Sequence, residues 1–404
     1  MAENKKPALR FKGFMDDWEQ RKFSDMYDKV SEKNDLSYGT DKIISVAKMY
    51  FKSDVYISDR EYLRTYNIFK LGDIAFEGNR SKDFAHGRFV ENFIGDGIVS
   101  HVFDVFRPVI EYDLLFWKYA INNESMMRNV LIRCTKSSTM MTNLVANDFL
   151  KERFKVPCID EQKRIGSFFQ SFDNLINLHQ RKYDKLINFK KSMLQKMFPQ
   201  NGSNVPEIRF KGFTGPWEQR KLSGLASFSK GSGYSKSDIK EGGTPLILYG
   251  RLYTKYEMVI ADVDTFAEDR PGSVYSKGGE VIVPASGETA EDISIASVVE
   301  KAGVLLGGDL NIMTPVPRLD SVFLALSISH GRAHKELSKL AQGKSVVHLH
   351  NDDLQRISLA APSMDEQRMI GKMFLHIDNL ITFHQRELEK LKNIKKSCLD
   401  KMFV

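Results

Sequence analysis

Two long stretches of the chain carry apolar residues at helical spacing. Between residues 160 and 198 there is no proline and a single glycine, Gly166, and Pro157 and Pro199 bracket the stretch. Alternating steps of three and four residues follow one face of a helix. In the first stretch these steps pass through Phe169, Phe172, Ile176, His179, Tyr183, Leu186, Lys190, Met193 and Met197. In the second stretch they pass through Phe374, Ile377, Ile381, His384, Leu388, Leu391, Lys395, Cys398 and Met402. The pattern predicts two long helices, each with one seam for pairing.

The two helical stretches belong to an internal repeat. Residues 10–14 and 18–22 recur as residues 209–213 and 217–221. Further blocks at 160–162, 173–176, 179–181, 190–192 and 196–198 recur at 365–367, 378–381, 384–386, 395–397 and 401–403. Between these blocks the two halves barely resemble each other. A duplication that keeps these blocks in the same order while the sequence between them diverges indicates two domains that bind different things.

Both seams keep the same register, so the natural partner of each is the other. The linker at 199–208 reaches at most about 35 Å, whereas a parallel return along the helix needs about 58 Å. A parallel pairing would therefore require the second variable domain to cover part of that return. We predict an intramolecular antiparallel coiled coil within a pseudo-twofold repeat. His179 and His384 could be metal ligands, but a polar residue in a seam more often sets the register.

The variable regions combine strand and helix patterns. Short apolar runs bounded by turn residues predict strands near 42–50, 74–76, 98–106, 280–283 and 293–299. Helical patterns at 111–122 and 321–340 make each region a mixed α+β domain. We divide the chain into a first variable domain at 1–157, a first helix at 158–199, a second variable domain at 200–362 and a second helix at 363–404.

Composition fits a globular chain with a polyanionic partner. Hydrophobic residues make up 42% and charged residues 27% of 404 residues, and the net charge is +7. The three cysteines, Cys134, Cys158 and Cys398, form no Cys-x-x-Cys pair, which disfavours a disulfide framework and a zinc site. The sequence also shows no run of apolar residues long enough to span a membrane. We expect a cytoplasmic protein without a membrane partner.

Polar and basic loops in the variable domains are the candidate DNA contacts. The first domain offers Arg80, Lys82, His86 and Arg88, and the second offers Lys230, Ser232, Tyr234, Lys236 and Arg251. Lysine and arginine neutralise phosphates, and arginine can also fork onto guanine in the major groove. The alternative for each residue is an ordinary solvated loop.

Motifs for catalysis are missing from the sequence. The Gly343-Lys344-Ser345 run resembles the end of a phosphate-binding loop, but Ser338 stands where that motif needs glycine. Metalloprotease, serine-hydrolase and amino-methyltransferase motifs do not occur. Asp73 and Glu77 could belong to a nuclease site of scattered carboxylates, although residues of this kind usually flank a strand. We predict a chain without catalytic activity.

The repeat and its motifs resemble the specificity subunit of type I restriction and modification systems over essentially the whole chain. The resemblance rests on the tryptophan-led blocks at 18–22 and 217–221, on the proline-to-Glu-Gln entries at 157–162 and 362–367, and on residues 342–345 with 353–354. It adds Lys344 to the candidate DNA contacts, and His348 nearby is included with it. The first half has Ser137-Ser138-Thr139-Met140 at the matching place, without the glycine.

This resemblance implies two target-recognition domains that read a bipartite sequence in double-stranded DNA. It implies complexes with two methylation subunits that use S-adenosylmethionine and with restriction subunits that use ATP and magnesium, while this chain binds no cofactor. It also implies that the helices set the spacer between the half-sites. A protein-interaction scaffold and a self-sufficient nuclease or methyltransferase are the competing interpretations.

Overall fold

A computed structural model describes residues 6–53, 55–137, 141–200, 202–290, 292–341 and 346–403. The chain divides into two units: Met1–Gln180 with Arg386–Val404, and Arg181–Gln385. Each unit contains one variable domain together with a part of each long helix. The predicted architecture of two α+β domains and two long helices is confirmed.

The first half of the chain combines short strands with helices. Its strands are β1 (Glu19–Lys22), β2 (Tyr27–Val30), β3 (Ile44–Ser45), β4 (Tyr50–Phe51), β5 (Asn67–Phe69), β6 (Ile74–Glu77), β7 (Arg88–Glu91), β8 (Gly97–Val99), β9 (Val105–Pro108), β10 (Thr135–Ser137), β11 (Thr142–Leu144) and β12 (Arg153–Val156). Its helices are α1 (Leu114–Ala120), α2 (Glu124–Cys134), α3 (Ala146–Lys151) and α4 (Ile159–Lys196). An antiparallel sheet with the order β2-β9-β6-β7 covers an aromatic core, in which the rings of Phe23 and Phe89 lie 4.3 and 4.2 Å from that of Phe149.

The second half of the chain has a larger β component. Its strands are β13 (Glu218–Lys221), β14 (Ala226–Lys230), β15 (Thr244–Ile247), β16 (Val259–Ile260), β17 (Phe266–Ala267), β18 (Tyr275–Lys277), β19 (Glu280–Pro284), β20 (Ser286–Gly287), β21 (Ser297–Val299), β22 (Ala302–Leu306), β23 (Leu310–Pro315), β24 (Val347–His348) and β25 (Ser358–Ala361). Its helices are α5 (Arg251–Thr254), α6 (Ser321–Ser329), α7 (Gly331–Leu340), α8 (Asn351–Arg356) and α9 (Met364–Met402). One sheet has the order β14-β23-β19-β21-β16 and another the order β17-β15-β22-β18.

Several predicted elements are shorter or broken in the structure. The helix predicted at 321–340 is two helices, because His330 is extended and Gly331 has a φ of +75°. The strand predicted at 42–50 is instead the β3–β4 pair, with Met49 in the left-handed region at a φ of +48° between them. The run at 98–106 is split between β8 and β9, and only Ser297–Val299 of the run at 293–299 is a strand.

The repeated Glu-Gln-Arg-Lys block forms the same strand in both halves. Strand β1 pairs antiparallel with β12, directly before α4. Strand β13 pairs antiparallel with β25, directly before α9. The tryptophan-led block therefore closes each domain at the point where its long helix begins.

The long helices pack antiparallel in each unit. In the first unit the start of α4 meets the end of α9, where the rings of Phe169 and Phe403 lie 5.8 Å apart. In the second unit the end of α4 meets the start of α9, and Phe198 lies 6.4 Å from Phe374. The predicted antiparallel direction is confirmed. The seam residues Phe169, Phe374, Ile377 and His384 are buried, and Phe172, Ile176, His179, Leu186, Ile381 and Leu391 are half-buried.

Candidate nucleic-acid interface

A buried ion pair fixes the start of α4 to the first domain. The Arg10 guanidinium donates two hydrogen bonds, of 2.6 and 2.7 Å, to the two carboxylate oxygens of Glu161. The Glu161 side chain is fully buried. The next residue, Gln162, accepts from the backbone N–H of Asp113 and donates to the carbonyl of Pro157. Because Asp113 caps the N-terminus of α1, this residue pair holds α1, α4 and the amino-terminal segment together.

The second domain repeats this junction. Arg209 donates to both oxygens of Glu366 at 2.6 and 2.7 Å. Gln367 accepts from the backbone N–H of Asp320 at 2.9 Å and donates to Pro362 at the same distance. Asp320 in turn caps α6. The repeated blocks therefore serve as a common frame, which leaves binding differences to the variable regions.

A glycine and an aromatic cluster complete each junction. A Cβ on Gly166 would lie 2.7 Å from the Cβ of Leu115, so α1 packs directly on the backbone of α4. The ring of Phe403 lies 6.3 Å from Trp18 and 5.7 Å from Phe116. In the second unit Phe198 lies 5.9 Å from Trp217 and 5.8 Å from Phe323. The last residues of each repeated helix thus pack onto a tryptophan of the repeat.

Three predicted DNA contacts of the first domain, Arg80, Lys82 and His86, lie between β6 and β7, and the fourth, Arg88, is the first residue of β7. Arg80 and Lys82 are exposed, and His86 and Arg88 are half-buried. Arg80 donates from Nε to Thr142 Oγ1 at 3.1 Å, which connects the loop to strand β11. Arg88 donates to the carbonyl of Ala47 at 2.6 Å. Whether these residues contact DNA stays a prediction.

Arg88 lines a cleft of about 820 Å³ in the first unit, and Lys48 and Arg128 also lie along this cleft. Its wall includes Glu91, which is 1% exposed and whose carboxylate oxygens have no hydrogen-bonding partner among the described residues. Burial, and then the charge of Asp113, raises the pKa of Glu91 well above its usual range. The cleft therefore combines exposed cations with a carboxyl group that favours its neutral form.

Predicted residues of the second domain gather around α5. Tyr234, Lys236 and Arg251 line a cleft of about 570 Å³, and Lys236 also lines an adjacent cleft of about 980 Å³. His348 joins the second cleft through Ser286, whose Oγ lies 3.2 Å from its Nδ1. Tyr234, Lys236 and Arg251 therefore line one cleft, and whether they contact DNA stays a prediction.

Three of these predicted contacts have their polar groups bound inside the domain. Arg251 is 9% exposed and donates to Asp264, to Glu257 at 2.7 Å and to the carbonyl of Asp262 at 2.8 Å. Tyr234 is buried, and its hydroxyl donates to the carbonyl of Glu268 at 3.0 Å. Ser232 accepts from the backbone N–H of Val274. These contacts hold Tyr234 and Arg251 in the wall of the first cleft, and whether any of the three residues also contacts DNA stays a prediction.

Two predicted contacts of the second domain, Lys230 and His348, are exposed. Lys230 is exposed at the end of β14, and His348 is exposed with its ring parallel to that of His350 at 6.3 Å. Lys344 and the corresponding residues 138–140 of the first half lie outside the described residues.

Neither a metal cluster nor a membrane span is found in the described part of the chain. No group of three His, Cys, Asp or Glu residues there is arranged to hold a metal ion. None of its helices combines the length and the apolar character needed to cross a bilayer.

The family described as the type I restriction modification DNA specificity domain matches residues 15–188 and 214–393, most of both halves. The chain belongs to this family. Both matched ranges run from the tryptophan-led strand into the long helix, so the family's unit is the domain with its helix. The resemblance inferred from the repeat is confirmed.

Two curated relatives carry the name of this family. The type I restriction enzyme MjaVIII specificity subunit of Methanocaldococcus jannaschii is 24% identical over 279 residues, which cover 66% of this chain and 65% of that protein. The putative type I restriction enzyme MjaX specificity subunit of the same organism is 23% identical, covering 95% of this chain and 92% of that protein.

Solved structures of this family share the fold. The S subunit of a type I restriction-modification system from M. genitalium aligns over 99% of both chains with a TM-score of 0.59 and 14% identity. A chain from a structure on complex assembly and conformational transition of the type I R-M system aligns over 96% of this chain and 97% of that chain, with a TM-score of 0.50 and 16% identity.

Sequence reasoning missed the ion pairs between the two long helices of this chain. It placed Lys190 and Lys395 in the two seams without assigning them a partner. In the structure Lys190 lies 2.5 Å from Asp378, and Lys395 forms an ion pair with Asp173. The signal was present, because a lysine and an aspartate recur at equivalent positions in both copies. Only the antiparallel direction reveals that each lysine pairs with the aspartate of the other helix.

Proposed function

We propose that this chain is the non-catalytic specificity subunit of a type I restriction and modification complex and that its two variable domains each read one half of a bipartite DNA target. The observation that carries the proposal is the repeated junction, in which Arg10–Glu161 and Arg209–Glu366 hold unlike domains on the same frame. A shared frame with different clefts suits a protein that reads two different half-sites from one duplex. The paired helices set the spacer between them.

Two methylation subunits are the proposed partners of the helices. Leu178 is 46% and Phe383 52% exposed, and they occupy equivalent positions of the repeat. Phe189 and Ile394, at 47% and 40% exposure, form a second equivalent pair. Exposed apolar side chains that recur in both copies favour two equivalent docking sites over chance exposure.

The chemistry then resides in the partners. Methylation subunits supply S-adenosylmethionine binding, and restriction subunits supply ATP and magnesium binding, while this chain contributes DNA recognition without a cofactor of its own. We place the complex in the cytoplasm, where its DNA target lies.

Methylome sequencing of cells that express this chain with its methylation subunit tests the proposal. We expect methylation at a two-part motif with a fixed gap. Binding of the purified complex to that motif should weaken steeply as salt rises, because phosphate contacts release counterions. Salt-insensitive binding and the absence of a bipartite motif would instead favour a protein-interaction scaffold.

A further inference from the structure

The cleft of about 570 Å³ in the second domain has an apolar wall that faces solvent. Ile239, Leu248 and Tyr249 line it, with Ile239 at 38% and Tyr249 at 37% exposure. One aromatic and two aliphatic side chains thus form an apolar surface at a concave site. Contact with another apolar group would remove this surface from water and lower the free energy.

Contacts made by Arg251 and Tyr253 fix the turn that carries Tyr249. Arg251 bonds to Asp264 and Glu257, and hydrogen bonds from Lys255 and Arg251 lower the pKa of Asp264 to about 2. Tyr253 packs its ring 6.2 Å from that of Tyr249. Because Arg251 and Tyr253 follow Tyr249 closely in sequence and are held by these contacts, Tyr249 is presented in a defined position.

The charged groups around this cleft limit what it can read. Arg251 is engaged and is therefore not free to fork onto a guanine. Lys255 is paired with Asp264 at 3.0 Å. Lys236 is exposed, lies where the two clefts of this domain meet, and has no ion-pair partner among the described residues. Lys236 is thus the cation at this site that remains available to a phosphate.

We infer that this cleft recognises a thymine of the second half-site, with Ile239, Leu248 and Tyr249 in contact with the 5-methyl group and Lys236 on a neighbouring phosphate. The major-groove edge of thymine is the one that carries a methyl group, and apolar side chains distinguish it by contact. Arg251 acts as a positioning residue. The inference rests on the proposed function, since it names the group that one domain reads.

Uracil scanning tests this assignment in the complex with the methylation subunit. After the motif has been mapped, each thymine of both half-sites is replaced singly by deoxyuridine, and binding is measured. We expect one position in one half-site where loss of the methyl group weakens binding about fourfold, the equivalent of ~0.8 kcal/mol. The Tyr249→Ala variant should bind thymine and uracil equally at that position, whereas Tyr249→Phe should keep the discrimination.

Asp309 offers a matched control, because it lines the same cleft without belonging to the apolar wall. Asp309→Asn should leave the thymine preference unchanged, and every variant should leave the other half-site unchanged. The inference is overturned if no thymine is sensitive, if the half-sites contain none, or if discrimination survives Tyr249→Ala. Loss of discrimination in Asp309→Asn also overturns it. A complex without any bipartite motif would instead refute the proposed function.

Discussion

Replacing Arg10 with alanine should destabilise the first unit by about 3 kcal/mol or more. The substitution leaves Glu161 charged and fully buried without its two hydrogen bonds of 2.6 and 2.7 Å. Breaking a buried ion pair from one side costs about 3–5 kcal/mol, because the remaining charge is desolvated and uncompensated. This loss of stability changes the equilibrium between the folded and the unfolded first unit by more than about a hundredfold.

Arg21 provides the matched control. It pairs with Glu19 at the same 2.6 Å, but the side chains are 40% and 65% exposed. An exposed pair of this kind contributes about 0–1 kcal/mol, so Arg21→Ala should change little. Glu161→Gln in the Arg10→Ala background should recover part of the loss, since it removes the stranded charge.

Native-state hydrogen exchange measures the effect unit by unit. Protection of α1 and the start of α4 should fall in Arg10→Ala, while α6 and the start of α9 keep theirs. Arg209→Ala should show the opposite pattern. Equal effects of Arg10→Ala and Arg21→Ala would refute the reasoning, because burial would then make no difference to the value of the pair.

Three further outcomes are expected. Lys190→Asp should destabilise the second unit in urea unfolding, because Lys190 and Asp378 are partly buried and 2.5 Å apart. Adding Asp378→Lys should restore most of the lost stability. An absence of recovery would show that the ion pair does not stabilise the unit. Burial raises the pKa of Glu91, so folding stability should fall as pH rises above the ordinary value of 4.5 and until the carboxyl ionises in the folded state. Glu91→Gln should flatten this slope above pH 4.5, and an unchanged slope would contradict the raised pKa. Inserting one heptad into the first helix should change the spacer of the methylated motif, and an unchanged spacer would contradict the role of the helices in setting it.

The sequence was most informative where apolar residues recur at the spacing of a helix. Thirty-odd residues at helical spacing cannot bury their apolar face except along a partner, so both long helices and their pairing could be predicted. The short linker then gave their direction. The break at Gly331 was missed because apolar residues continue on both sides of it, although a glycine is a common signal for the end of a helix.

Individual loop residues were harder to predict. Arg251 and Tyr234 are residue types that often contact DNA. In the structure their polar groups bond to Asp264 and to the carbonyl of Glu268, which lie 13 and 34 residues away in sequence. Tyr249, two residues before Arg251, faces the cleft instead. A loop without periodicity carries no signal of which side faces solvent, and long-range ion pairs such as Arg10 with Glu161 are invisible to local patterns.

The first unit is assembled from two segments that lie far apart in sequence, since Arg386–Val404 belongs with Met1–Gln180. Its tryptophan Trp18 is translated long before Phe403, whose ring packs 6.3 Å from it. The second unit, Arg181–Gln385, is continuous and can close while synthesis is still under way. The core of the first unit is therefore completed only after the second unit has been translated, and a chain that lacks the final turns of α9 would lack part of that core.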